Sequence, residues 1–237
     1  MNSLEELKEL NIAFPDEADI TGYNGIYNRY VKRVIDFVFA LLFFIILLPV
    51  FAVVSLLIYT DDGSPVFYRA QRGGYKNKTF RIFKFRTMVK NADKIGGGTT
   101  ALGDSRITKS GALLRKTKLD EIPNLINILR GEMSFVGPRP ELLLYTTQYT
   151  KEQECIMWVR PGITDRSSIV YIAQDEIVGE EDPVANFERL ILPEKNRLRV
   201  EYAKTQSFGL DCRLILETLA GVFGKAEDMA KEKKQKG

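Results

Sequence analysis

From Phe37 to Tyr59 the chain carries no charged residue. Basic positions resume on both sides: Arg29, Lys32 and Arg33 before it, and Arg69, Arg72, Lys76 and Lys78 after it. As one helix this run would reach about 35 Å, enough to cross a bilayer core of about 30 Å. Two features point away from a simple span. Pro49 lies in mid-run, where it removes a helical hydrogen bond and bends the axis. Both flanks are basic, so the positive-inside rule selects no orientation. A helix that enters, bends at Pro49 and returns to the same face satisfies both, and the pattern predicts this re-entrant form over a full span or a buried core helix.

The remaining chain alternates in shorter phases. Residues 1–28 form a polar lead, in which Ser3 and Glu6 can cap a short helix ending before Pro15. Its acidic start excludes a secretory signal. Val66–Tyr68 and Thr79–Phe85 are rich in aromatic and β-branched residues, with Gly73, Gly74 and Asn77 between, and predict a basic β-hairpin. Lys84 and Arg86, two apart, would share one strand face. Gly96–Gly98 with Thr99 and Thr100 reads as a linker and lacks the lysine-serine ending of a P-loop. Glu188–Ser207 and Phe208–Phe223 favour helices, the second suited to the core or to a membrane interface. Lys225–Gly237 is a mixed-charge tail.

An adjacent acid pair, Asp120-Glu121, stands before Ile122, Leu125, Ile126 and Leu129, which recur at helical spacing. Gly131 is the natural stop. Thr117 with Asp120 fits a capping box, while Asp120 as N-cap would put Pro123 in the first turn, and the second is preferred. In either case both carboxylates would lie at the positive end of a helix, which favours their ionised forms. Arg106, Lys109, Arg115, Lys116 and Lys118 precede the pair. Ionised acids facing cations suit a metal–phosphate substrate, although for an isolated pair an N-cap with surface salt bridges is the preferred reading. Farther on, Pro138 and Pro140 hold the backbone on both sides of Arg139. A rigid loop presenting one guanidinium suits forked recognition of phosphate or carboxylate. Arg160-Pro161-Gly162-Ile163-Thr164 repeats the device.

Composition narrows the chemistry. The net charge of +3 is too small to argue for nucleic acid. There is no histidine, which excludes His-based acid–base catalysis, Ser-His triads and His-ligated zinc. Cys155 and Cys212 are far apart and suggest neither a metal pattern nor a disulfide framework. The chemistry is left to carboxylates, Lys, Arg, hydroxyls or a bound metal.

Taken in order, these segments resemble the bacterial sugar transferases that begin glycan assembly on a polyprenyl phosphate, the monotopic phosphoglycosyl transferases. The resemblance runs from about Tyr30 to Thr218. It is carried by Lys32-Arg33 with Asp36, by Pro49, by Lys84-Phe85-Arg86-Thr87-Met88 and by Arg106-Ile107-Thr108 with Gly111. Leu114-Arg115-Lys116, Leu119-Asp120-Glu121-Ile122-Pro123, Gly137-Pro138-Arg139-Pro140, Pro161-Gly162-Ile163-Thr164 and Asp211 complete it. Each motif is weak alone, and together in this order they are specific.

The resemblance implies an α/β fold, helix-rich with a small β-hairpin, as a catalytic domain with a re-entrant, proline-kinked membrane helix. The implied divisions are an extension at 1–28, the membrane helix at 29–60, the transferase domain at 61–224 and the tail at 225–237. It implies a UDP-sugar donor, a polyprenyl phosphate acceptor, Mg²⁺ and release of UMP, at the cytoplasmic face of the bacterial inner membrane. Asp120 would be the nucleophile with Glu121 beside it. Lys84, Arg86, Arg115 and Arg139 would bind substrate phosphate, and Asp120, Glu121 and Asp211 would hold the metal. The chain departs from the family at Leu48, where Ser is common, at Ala70 and Asn77, and at Asp165-Arg166-Ser167-Ser168, where many members read Gly-Leu-Ala-Gln. The last change falls where sugar discrimination is expected. The competing readings are a non-catalytic membrane-surface protein held by basic segments and a one-step transferase without a covalent intermediate.

Overall fold

The computed structural model describes residues 25–92, 104–172, 174–179 and 181–235. The helix expected at the N-terminal lead and the glycine-rich linker at 96–100 lie outside the described residues.

The uncharged run folds as two helices. A π-helical turn, Tyr27–Val31, leads into α1 (Lys32–Ile46), and α2 (Leu48–Asp62) follows with Pro49 in its first turn. The axes bend by 61° at the break. Leu47 sits there at φ −89°, ψ 2°, outside helical geometry. Pro49 has no N–H to continue the ladder, so a new helix starts around it. Among the described residues no single helix is long and apolar enough to cross a membrane, and this bent pair passes that test only as a pair. Much of its surface is bare: Val34, Val38, Ile45, Ile46, Val53 and Leu56 are all exposed.

The hairpin forms as expected, with a longer first strand. Strand β1 (Phe67–Gly73) pairs antiparallel with β2 (Thr79–Phe85), placing Tyr68 opposite Lys84. Phe85 stacks on Phe67 and approaches Phe51 of α2, where Val54, Ile58 and Leu114 complete a buried cluster. Leu114 belongs to α3 (Lys109–Thr117), whose N-cap Thr108 accepts a hydrogen bond from the Gly111 amide. Gly111 is required by contact, since a Cβ there would lie 2.0 Å from the Thr87 carbonyl oxygen.

A 3₁₀ turn, Leu119–Glu121, carries the acid pair, and α4 (Asn124–Arg130) follows. Strand β3 (Ser134–Val136) then pairs in parallel with β4 (Gly162–Thr164). Between the strands lie α5 (Leu143–Thr146) and a 3₁₀ segment, Gln153–Trp158. Short helices α6 (Arg166–Val170), α7 (Gln174–Val178) and α8 (Pro183–Asn186) come next, then a π-helical turn, Phe187–Ile191. Helices α9 (Leu192–Thr205) and α10 (Phe208–Gln235) close the chain. The last helix runs to Gln235, into the stretch expected to be a tail.

Two buried clusters hold the body around these strands. One joins α1, β2 and α4 through Ala40, Phe80, Ile82, Leu125, Ile128 and Met133. The other joins β3, the 3₁₀ segment, α9 and α10 through Val136, Ile156, Val159, Tyr202 and Leu214. Arg33 of α1 donates to the carbonyls of Ile128 and Leu129, a cation meeting the negative end of α4. The bent apolar pair is thus tied to the helix that follows the acid pair.

Candidate active site

The acid pair is not a helix cap. Helix α4 begins at Asn124, with Pro123 before it and no side-chain cap bond. Lys118, in the left-handed region at φ 58°, ends α3 and turns the chain into the 3₁₀ turn. The Thr117 hydroxyl donates back to the Leu113 carbonyl rather than forward, so the capping box is not formed either. The expectation of a start at Asp120 fails because Asp120 and Glu121 lie inside the 3₁₀ turn, with Ile122 and Pro123 between them and α4. Gly131 ends α4 as expected, at φ 80°.

Asn127, which the hydrophobic pattern does not mark, fixes α4 against the β-hairpin. Its Oδ1 accepts from the Phe83 amide at 2.8 Å, and its Nδ2 donates to the Arg81 carbonyl at 2.9 Å. This lock sets β2 beside the acid pair, and Lys84 Nζ donates to Glu121 Oε1 at 2.8 Å. Arg139 arrives from the far side, on the proline-framed strap after β3. Its Nη1 donates to Glu121 Oε2 at 3.1 Å and to the Ile163 carbonyl at 2.9 Å, while Nη2 pairs with Glu121 Oε1. Glu121 is therefore clamped between two cations, with a forked pair to the guanidinium.

The two neighbouring carboxylates have opposite electrostatics. Burial pushes the Glu121 carboxyl up, but the charges of Arg139 and Lys84 outweigh it and hold the group well below the usual carboxylate range. Burial pushes Asp120 up, and the attraction of Lys84 does not bring it back. Asp120 is 9% exposed, and its Oδ1 is buried without a hydrogen-bond partner. The expectation that both acids share a stabilised ionised form thus holds for Glu121 alone. Lys84 is lowered by burial, partly offset by Glu121.

The other expected site residues divide. Arg115 donates through Nε to Thr87 Oγ1 at 2.9 Å, and its charge reaches Asp120. Arg86 does not join Lys84. It follows the last residue of β2, and its Nη2 donates to the carbonyls of Asp62 and Gly63 and pairs with Asp62. The strand ends before period-two alternation can bring the two cations together. Asp211, expected beside the acid pair as a metal ligand, lies in a separate buried network. It accepts from Tyr27 at 2.7 Å and from Tyr202 at 2.7 Å, and it pairs with Lys32. Among the described residues no three acidic or thiol side chains form a metal-binding group.

Asp165 and Ser167, in the segment expected to discriminate sugars, are each 1% exposed. Asp165 caps α6 and accepts from the Arg139 amide at 3.1 Å. Arg199, equally buried, ion-pairs with Glu141 at 2.7 Å. No hydrophobic period marks a buried arginine, and the charged character of α9 masks it in the sequence.

A family model described as bacterial sugar transferase matches residues 27–225. An uncharacterized sugar transferase, EpsL, of Bacillus subtilis is 36% identical over 198 residues, which is 81% of this chain and 87% of that protein. The UDP-glucose:undecaprenyl-phosphate glucose-1-phosphate transferase of Escherichia coli is 32% identical over 228 residues, covering 94% of this chain and 46% of that protein. The UDP-N-acetylgalactosamine-undecaprenyl-phosphate N-acetylgalactosaminephosphotransferase of Aeromonas hydrophila is 34% identical over 145 residues, covering 60% of this chain and 34% of that protein. The chain spans less than half the length of these last two.

Proposed function

The chain belongs to the bacterial sugar transferase family, and on that premise we propose that it moves a phosphosugar from a UDP-sugar to a polyprenyl phosphate. The observation that carries the reading is the split acid pair: Glu121 held by Lys84 and Arg139, and Asp120 beside it with one oxygen unpartnered. The donor and acceptor classes follow the names of relatives that act on UDP-sugars and undecaprenyl phosphate.

A carboxylate can attack phosphorus without losing a proton, so a site lacking histidine meets no obstacle. Asp120 attacks the sugar-bearing phosphorus. A bond forms from its oxygen to that phosphorus, the bond to the bridging oxygen breaks, and the electron pair leaves with UMP. A phosphate oxygen of the lipid then attacks the same phosphorus, forms the new pyrophosphate and frees Asp120. In this reading Lys84 and Arg139 offset the anionic transition state, and Glu121, with which both pair, keeps them in place until substrate phosphate competes for them.

Magnesium fits this donor set in one way. It is commonly held by one or two carboxylates together with substrate phosphates, and Asp120 and Glu121 supply two carboxylates, one with an orphaned oxygen. Asp211 is outside such a set. When bound, the ion would add positive charge at the transferring phosphate.

The acceptor's tail stays in the bilayer, so the site must sit at its surface. The exposed apolar faces of α1 and α2, both basic-flanked, suit a re-entrant anchor, with the body on the cytoplasmic face of the bacterial inner membrane.

The test uses detergent-purified protein, Mg²⁺ and a panel of UDP-sugars without lipid acceptor. The expected result is UMP release of up to one equivalent with one sugar, and a matching mass on the protein that is absent in Asp120→Asn. Turnover only after polyprenyl phosphate is added would replace the covalent route with direct transfer. No UMP under either condition would overturn the reading.

A further inference from the structure

Arg139 comes from a strap between two prolines rather than from a regular element. Pro138 and Pro140 fix φ on both sides of it, yet φ alone does not set where the guanidinium sits. Three contacts do. The Arg139 amide donates to Asp165 Oδ2 at 3.1 Å, its Nη1 donates to the Ile163 carbonyl, and two residues on, the Glu141 carboxylate pairs with Arg199 at 2.7 Å. Arg199 Nε also faces Asp165 Oδ2 at 3.6 Å. One fully buried guanidinium thus stands against both carboxylates that hold the strap.

Asp165 has no freedom to choose another partner. Its oxygens accept from the Ser167 hydroxyl at 2.8 Å and from the Ser168 amide at 2.6 Å. Both it and Arg199 are 1% exposed. Neither touches the acid pair, so neither is placed to meet a substrate phosphate directly.

We infer that Asp165, oriented by Arg199, is a positioning residue that sets the Arg139 guanidinium against Glu121 and the transferring phosphate. The inference rests on the sugar-transfer reading for its catalytic meaning, and on contacts alone for its structural part. A carboxylate is suited to the position because it accepts the strap amide and two further donors while facing a buried cation. Loss of the charge leaves Glu141 as the one of these two carboxylates still facing Arg199, and loss of the acceptor frees the strap at its central amide.

Two readouts separate positioning from bulk stability. Arg139 carries the only amide between Pro138 and Pro140, so hydrogen exchange in a peptide covering this strap reports the Asp165 bond. Asp165→Ala is expected to speed exchange there and to lower kcat by up to about 10²-fold, the scale of a 1 Å misplacement, with KM changed less than about twofold. Asp165→Asn, which keeps one acceptor without the charge, is expected to fall between and serves if the alanine variant does not fold. In an Arg139→Lys background, where the fork is already lost, the same Asp165 change is expected to cost a smaller factor. An equal factor in both backgrounds, or an unchanged kcat, would overturn the inference. If the wild-type protein releases no UMP from any UDP-sugar, the transfer reading fails separately. Strap exchange then decides alone: faster exchange in the variant upholds the positioning, and unchanged exchange ends it.

Discussion

At Asp120 the proposed function and the stability of the fold are opposed. Its buried carboxyl has an unpartnered oxygen and is held above the ordinary carboxylate value. In the unfolded chain the same group titrates at about 3.9. The folded protein therefore binds this proton more tightly, and stability falls as pH rises from the unfolded value through the folded one. Above the folded value the penalty is fully present, and below about pH 4 it is absent. Asp120→Asn is expected to abolish transfer while raising Tm at pH 7, with the two proteins converging below about pH 4 in thermal unfolding followed across pH. Transfer at the wild-type rate would remove Asp120 as nucleophile, and an equal Tm at neutral pH would remove the buried-charge penalty. Glu121 differs because Arg139 and Lys84 compensate for its burial, so two adjacent acids of similar chemistry have opposite electrostatics. The sequence shows the pair and its neighbours but not this division, which depends on which oxygen meets which cation.

At the scale of elements, the site depends on the close approach of the segments following and preceding the parallel pair. A Cβ on Gly137 would lie 2.2 Å from the Arg160 carbonyl oxygen, and one on Gly162 would lie 2.2 Å from the Gly137 nitrogen. These are backbone atoms, so the clash cannot be relieved by a side chain turning away. Gly137→Ala is expected to cost about 1–3 kcal/mol, on the order of 5 °C in Tm, and to reduce transfer because Arg139 follows two residues later. Gly209→Ala, where nothing lies within 4 Å of the added atom, is the matched control and is expected to leave Tm unchanged or slightly higher. Equal effects at the two positions would refute the close-approach argument. The helix break at Leu47 and the stop at Gly131 were both legible from a proline and a glycine. The start of α4 was not, because proline tolerates both a first turn and the residue before it.

Across the whole molecule, the apolar pair α1–α2 and the body share buried polar joints. Lys32 and Asp211 are each 4% exposed and pair with one another, and Arg33 closes the end of α4. Such joints fix the direction of the bent pair relative to the acid pair, which the proposed transfer to a lipid acceptor would require. A protein held only by basic segments would leave membranes at high salt, because exposed charges are screened within about 3 Å at 1 M. This chain is expected to stay with the membrane fraction in 1 M salt and to leave only with detergent, as followed by sedimentation. Release by salt alone would count against insertion of the apolar pair. The buried location of Asp211 also explains why a carboxylate expected at the metal is absent from the site: its two oxygens serve the joint.

The sequence alone determined the local features whose causes are local. An uncharged run interrupted by proline, aromatic and β-branched strands around glycines, and the proline-framed Arg139 are written into neighbouring residues, and their order carries the family resemblance. Tertiary structure alone decided which charges meet. Lys84 and Arg139 converge on Glu121 across 37 and 18 positions of sequence, whereas Arg86, two residues from Lys84, turns to Asp62. Asp165 and Arg199 became visible as supports of the strap only when both were found buried. The physical reason is that periodicity reports burial of apolar surface, while a buried ion pair depends on direction and distance between segments far apart in the chain.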